Sequence, residues 1–245
     1  MNSYFFKKLS EILKQPIYRK SIGCFSIFII SISSLFSQKT DTLQTDSIML
    51  TNGPAVKFKK GTIIETDIRK RVLRGTLKEE TRLWTNLPCL LFKDGTELMF
   101  DKYGKVTAGT LANLSSIRTP AGQIYVSAGS NVIFNHEGFL VFFKPENIYT
   151  VELQPDNFVS FTNSGYIKLD DTGKLEEGIL LEETVFLVGE DKIKFKKNTN
   201  TIFYPDGKVK AGTISERISY KNTTGGKKIF PSGSYVEFSP EGVPQ

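Results

Sequence analysis

The chain has 245 residues with 32 Lys/Arg against 26 Asp/Glu, and it carries one histidine, one tryptophan and two cysteines. The single histidine, His136, excludes the H-E-x-x-H zinc site and every multi-histidine metal centre, and Cys24 and Cys89 are too few to replace one. Five basic residues and one acidic residue fall within the first 37, so the rest of the chain has a net charge of only about +2. That is too little for the basic stripe a nucleic-acid partner requires.

Residues 1–37 read as a unit of their own. Lys7, Lys8, Lys14, Arg19 and Lys20 form a basic stretch, residues 22–36 are an uncharged apolar run of 15, and Ser37 offers a small residue before Gln38. This order is that of a secretory signal peptide and predicts export, with a mature start between Ser34 and Gln38. The run is shorter than the ~20 residues of an untilted spanning helix; retention as an uncleaved anchor, lengthened by flanking residues, is the alternative. Ser21-Ile22-Gly23-Cys24 has the outline of a lipoprotein cleavage box, but here the apolar run follows the cysteine instead of preceding it. Loss of the leader leaves Cys89 alone, which excludes an internal disulfide. Beside Leu90, Leu91 and Phe92 it is expected to be a small buried apolar residue. Residues 38–55, polar and Thr-rich, are expected to be a flexible spacer.

From Val56 onward the chain repeats. Gly104, Gly138, Gly173, Gly207 and Gly242 recur at spacings of 34, 35, 34 and 35 residues. Four residues before each stand Phe100, Phe134, Leu169, Phe203 and Phe238; six before stand Leu98, Val132, Ile167, Thr201 and Val236. Apolar spacing of two, broken by a polar turn ending in glycine, predicts β-hairpins. Two more punctuation points recur, one near Pro88, Pro120, Pro155, Gly189 and Gly225, the other at Gly95, Gly129, Gly165, Asn198 and Gly233. Gly109, Gly178 and Gly212 lie inside strand patterns and predict a bulge or sharp bend, with Phe143 in the same place in one unit. Lys70 stands where the first unit should have its turn glycine. The expected fold is all-β: residues 56–245 as one domain of about six antiparallel hairpin units of ~34 residues, stacked into an elongated array, with a closed propeller-like ring as the alternative.

Fragments such as Phe203-Tyr204-Pro205-Asp206-Gly207-Lys208-Val209 and Phe100-Asp101-Lys102-Tyr103-Gly104-Lys105-Val106 resemble the hairpin repeats of bacterial cell-wall-binding modules and, more loosely, MORN-type repeats. The resemblance covers about seven residues per unit. Cell-wall-binding modules cage choline or glycan with a tryptophan and tyrosines in each unit of ~20 residues. The single Trp84 and the longer unit of this chain do not carry that ligand over.

No nucleophile elbow, phosphate loop or dinucleotide fingerprint is present. His136 lies in a polar turn and reads as an exposed turn residue. The acids Asp170, Asp171, Glu176, Glu177, Glu182 and Glu183 cluster in one unit; they read as solvated surface, with a carbohydrate-active hydrolase as the functional alternative. Lys192, Lys194 and Lys196 alternate with apolar residues and read as the wet face of a strand or as a cationic strip for an anionic polymer. Tyr103, Tyr125, Tyr149, Tyr166, Tyr204 and Tyr235 would favour a glycan-binding module if they shared one face. The ligand-facing candidates are Tyr103, Tyr125, Tyr166, Tyr204, Lys192, Lys194 and Lys196. The expected role is that of an exported, non-enzymatic interaction or structural protein of a bacterial envelope. No cofactor is expected, and the partner is an envelope protein or glycan. Intact-mass measurement of the chain from its envelope should show loss of the first 33 to 37 residues; recovery of the full 27.5 kDa in a membrane fraction would establish the anchor instead.

Overall fold

The computed structural model describes residues 39–50, 55–85, 89–119, 122–154, 157–221 and 227–245. The leader segment 1–37 and the punctuation residues Pro88, Pro120, Pro155 and Gly225 lie outside the described residues. Among the described residues every regular element is a β-strand.

The first strand, β1 (Lys39–Thr42), is followed by a hairpin of β2 (Ser47–Leu50) and β3 (Ala55–Phe58). One order then repeats, in which a hairpin of a large sheet alternates with a smaller hairpin that pairs with no other described strand. β4 (Ile63–Thr66) and β5 (Val72–Thr76) lie in the large sheet, and β6 (Thr81–Trp84) and β7 (Cys89–Phe92) stand apart. The next round is β8 (Glu97–Phe100) and β9 (Val106–Thr110), then β10 (Ser115–Thr119) and β11 (Gly122–Val126). It continues with β12 (Asn131–Phe134) and β13 (Leu140–Phe143), then β14 (Tyr149–Gln154) and β15 (Asn157–Phe161). β16 (Ile167–Leu169) and β17 (Leu175–Ile179) precede β18 (Thr184–Val188) and β19 (Asp191–Phe195). β20 (Asn200–Phe203), β21 (Val209–Thr213), β22 (Ile218–Lys221), β23 (Lys227–Phe230) and β24 (Tyr235–Glu237) complete the series.

The large sheet has 12 antiparallel strands, running from β1 through the paired strands of each unit to β24. Among the described strands β1 and β24 are its opposite edges, which is the arrangement of an open array; a ring of blades would break the sheet into separate four-stranded pieces. At ~4.8 Å per strand the sheet extends for roughly 53 Å. The remaining strands form six two-stranded hairpins, β2–β3, β6–β7, β10–β11, β14–β15, β18–β19 and β22–β23. These cover one face of the sheet.

Alternation builds the core between the two layers. Leu98, Phe100 and Val106 of the sheet are buried together with Leu83, Leu90 and Phe92 of the second cover hairpin, in one continuous cluster. Each apolar column expected from the sequence is buried, including Phe134 at 4% exposure. Rings from the two layers meet edge to face: Phe58 with Phe100 at 6.5 Å, Phe161 with Phe203 at 6.0 Å, Phe195 with Phe238 at 6.1 Å. Thr201 occupies an apolar column, fully buried, and its hydroxyl has no hydrogen-bond partner among the described residues.

The glycines inside strands are not bends. Gly109 pairs in register with Val132, Gly178 with Thr201 and Gly212 with Val236. Each leaves room for a ring of the cover layer. A Cβ on Gly75 would lie 2.6 Å from the Phe58 ring, on Gly109 2.7 Å from Phe92, on Gly178 2.6 Å from Phe161, and on Gly212 2.8 Å from Phe195. The third cover hairpin ends instead in Val126, and Phe143 replaces the glycine beneath it; both are fully buried. Bulk has moved from one layer to the other, and strand β13 continues through Phe143, which pairs with Ile167.

The bulges lie beside the tight turns. Register shifts occur at Glu65/Thr66, Met99/Phe100, Ile133/Phe134, Lys168/Leu169 and Ile202/Phe203. The turn glycines have φ between 77° and 90°, the left-handed geometry of a glycine bulge, and Lys70 adopts it at 59°. Asp101 Oδ1 accepts the N–H groups of Tyr103 and Lys105, and Asp67, Asn135 and Asp170 do the same in their own turns. Gly165 is not one of the left-handed glycines; the residue three after Phe161 is Ser164, and Gly165 makes room for Ile179.

Residues 39–50, expected as a spacer, carry two strands. β1 pairs with β4 through its backbone while all four of its residues stay exposed, so its polar composition does not oppose pairing. Leu43 and Met49, each 34 residues before Leu77 and Leu83, pack on the core and begin the array before Val56.

The exchange between Val126 and Phe143 predicts a coupled pair. Phe143→Gly should cost ~3–5 kcal/mol as a core truncation. Adding Val126→Phe should recover ~1–3 kcal/mol of it, beyond the sum of the single effects. Urea unfolding of the four chains measures the coupling, and strict additivity would remove the ring-on-glycine account.

Candidate functional site

The outward face of the cover hairpins is the array's repeated surface. In the second hairpin Arg82 pairs with Leu91 and Trp84 with Cys89, and these four face away from the sheet while Leu83 and Leu90 face it. The same alternation turns Ile48, Tyr125, Phe158, Leu187 and Ile229 outward in the other hairpins. Trp84 and Phe158 are each 66% exposed, well beyond the exposure of a large apolar side chain whose burial the fold needs. Basic side chains stand among them: Lys57, which pairs with Glu79 at 2.9 Å, and Arg82 and Lys192. Cys89, expected in the core, is half-buried on this face because it alternates with the core-facing Leu90; Trp84 lies opposite it across the ladder.

The tyrosines do not form one row. Tyr125 lies on the outward hairpin face. Tyr103 lies in the turn between β8 and β9, with Lys102 Nζ 4.9 Å above its ring. Tyr204 occupies the turn between β20 and β21, donating its hydroxyl to the Phe238 carbonyl at 2.7 Å. Burial, and after it the negative charges of Glu241, Glu237 and Asp206, raise its pKa. Tyr166 stacks on Phe142 at 4.8 Å on the uncovered face of the large sheet, a face it shares with Tyr235. Tyr149 points into the core against Phe143, centroids 5.8 Å apart. Of the ligand-facing candidates, only Tyr125, Lys192 and Lys194 share the hairpin face. Lys194 lies 3.3 Å from Glu216 and 3.6 Å from Glu183, and the Glu216 contact raises its pKa first. Lys196 is exposed beyond the end of β19.

The acids of the 170–183 region separate. Asp170 organises its turn, Glu176 pairs with Lys168 at 2.7 Å, Glu177 accepts a bond from Asn200 at 2.5 Å on the uncovered face, and Glu183 faces Lys194. They belong to a turn, a sheet face and a loop at the far end of β17. Among the described residues no group of three or more His, Cys, Asp or Glu side chains is placed to hold a metal ion. His136 is an exposed turn residue, 3.9 Å from Glu137.

Two concavities stand out. A cleft of about 600 Å3 opens between the third and fourth cover hairpins, lined by β11 and β14 together with the loop from Pro145 to Ile148. It lies at the unit in which Val126, Phe143 and Pro145 depart from the repeat. A smaller one, about 260 Å3, lies at the first turn, between Asp67, Arg69, Arg71, Lys102 and Tyr103. There Asp67 accepts from Arg71 Nε at 2.6 Å and from two backbone N–H groups, and Arg71 Nη1 donates to the Lys102 carbonyl at 2.7 Å. Burial pushes the Asp67 carboxyl up, but the Arg71 side chain and the N–H groups of Arg71 and Arg69 together hold it below the usual value. The repeated Asx residue at each turn, at spacings of 34, 34 and 35 from Asp67 to Asp170, was a signal available in the sequence.

A depressed folded-state pKa means that Asp67 stabilises the fold above the unfolded carboxylate value of about 3.9, and that this contribution is lost as pH falls through the lower folded value. Asp67→Asn keeps the turn acceptor, as Asn135 does, and removes the charge. It should cost about 1 kcal/mol at pH 7 and progressively less as pH falls below the unfolded carboxylate value, measured by urea unfolding across that range; a loss independent of pH would show that the charge is immaterial. Comparison of the chain with protein-family models, with curated proteins and with solved structures finds no match.

Proposed function

We propose that the chain is an exported, non-enzymatic interaction protein of a bacterial envelope, which engages its partner through the outward face of the cover hairpins. The observation that carries this reading is the repetition of a large exposed apolar side chain on every hairpin, from Ile48 through Trp84, Tyr125, Phe158 and Leu187 to Ile229. A repeated surface suits several weak, equivalent contacts better than one deep site, and affinity then grows with the number engaged. Export rests on the order of the leader's basic, apolar and small-residue regions. The acids of the 170–183 region do not converge, which weighs against the hydrolase alternative.

A second reading, a glycan-binding module, draws on Trp84, Tyr125 and Phe158, three successive hairpins that expose an aromatic ring. Capture of envelope proteins and glycans by the chain lacking its leader tests both. Trp84→Ser, Phe158→Ser and Leu187→Ser should each weaken capture about 3- to 10-fold, corresponding to ~1 kcal/mol per contact, with losses accumulating when combined. Undiminished capture by the triple variant would remove the hairpin face from the function, and capture of glycan alone would select the second reading.

A further inference from the structure

The cleft between the third and fourth cover hairpins is walled by strand edges, not by strand faces. Gln123, Ile124 and Tyr125 of β11 and Thr150, Val151 and Glu152 of β14 line it as consecutive residues. Successive side chains of a strand point to opposite faces, so an unbroken run on each side means that the backbones themselves border the space. Among the described residues each cover hairpin is two-stranded, so each of its strands has one edge without a described partner strand.

The register fixes which backbone groups point into the cleft. The Tyr125 carbonyl accepts the Glu146 N–H at 3.1 Å, so the backbone of Tyr125 points away from β10. In an antiparallel ladder such residues alternate, and Gln123, two residues away, has the same orientation. The fourth hairpin is built alike: the Ser160 carbonyl accepts the Leu181 N–H at 3.0 Å, and Ser160 pairs with Thr150, so the Thr150 backbone points outward from β14. The segment 144–146 thus pairs along the edge of β11 around the Val126–Pro145 bridge and leaves it after Glu146, where the cleft opens.

We propose that this cleft takes an extended segment of a partner polypeptide, added as a strand to the free edge of β11 beyond the 144–146 contact. A strand residue in a sheet fills roughly 3.3 by 4.8 by 10 Å, so about 600 Å3 accommodates about four residues. Edge N–H and C=O groups are matched by another backbone at the same spacing, which saccharide hydroxyls do not reproduce. Ile124, Ile148 and Val151 line the cleft beside the polar Gln123, Asn147 and Thr150. The segment it fits therefore alternates apolar with polar residues. This rests on the reading of the chain as an interaction protein, and it does not depend on export.

The test uses octapeptides alternating valine with threonine, one of them N-methylated at alternate residues, and chitotetraose as the saccharide probe, on the chain lacking its leader. The unmodified peptide should bind saturably and slow amide exchange at Tyr125 about tenfold. Gln123→Pro removes an outward N–H that the hairpin's own ladder does not use, and N-methylation removes the peptide's own donors without touching the protein. Each should weaken binding at least tenfold, and the N-methylated peptide carries the test alone if Gln123→Pro fails to fold. No binding by the unmodified peptide, binding indifferent to both changes, or protection of the same amide by chitotetraose would overturn the proposal. Envelope capture measured on the same chains keeps the two readings apart: capture that persists while every peptide fails overturns the cleft alone.

Discussion

The fold depends on one contact, a phenylalanine ring of the cover layer seated on a glycine of the large sheet. Phe58 on Gly75, Phe92 on Gly109, Phe161 on Gly178 and Phe195 on Gly212 repeat it. A Cβ at any of these glycines would overlap the ring above, so the residue missing from the sheet sets how closely the hairpin layer approaches. Close approach brings the rings of the two layers edge to face and joins them into one core.

The turns serve the same layering. In the fifth sheet hairpin the tip of the fourth cover hairpin lies against Gly207, so that a Cβ there would overlap the Leu153 carbonyl; Gly189 of the fifth cover hairpin meets Gly242 in the same way. Glycine is thus required twice at one position, for its left-handed φ and for the backbone packed over it. Lys70 adopts the same φ at the first turn, where no described hairpin precedes it by the 54 residues that separate Leu153 from Gly207. Neighbouring turns are also tied laterally, as by Lys174 Nζ to the Pro205 carbonyl at 3.0 Å and Tyr204 to Phe238.

A regular array of this kind offers a regular surface, and its departures from regularity are where a distinct site can form. The unit of Val126 and Phe143 moves bulk from the cover layer into the sheet, and Tyr149, where Thr81, Ser115, Thr184 and Ile218 stand in other hairpins, packs onto Phe143. The large cleft lies at that unit. The repeated exposed residues and the cleft are two aspects of one layer, since hairpins that pair with no other described strand present both an outward face and strand edges.

The sequence by itself determined the period, the strands, the sites of the turns and the apolar columns, because all of these are local: alternation and a left-handed glycine act within a few residues. Even the ring-on-glycine pair left a trace, since each phenylalanine precedes its glycine by 17 residues. Local alternation does not say which hairpins join the large sheet and which cover it. The run Val185-Phe186-Leu187-Val188 is apolar on both faces, and only the position of the sheet beneath decides that Phe186 and Val188 are buried while Val185 and Leu187 meet solvent. The dispersal of the tyrosines onto turns, core and two opposite faces was settled in the same way. A residue's face in a strand is set by the backbone, but whether that face is inside is set by the layer packed against it.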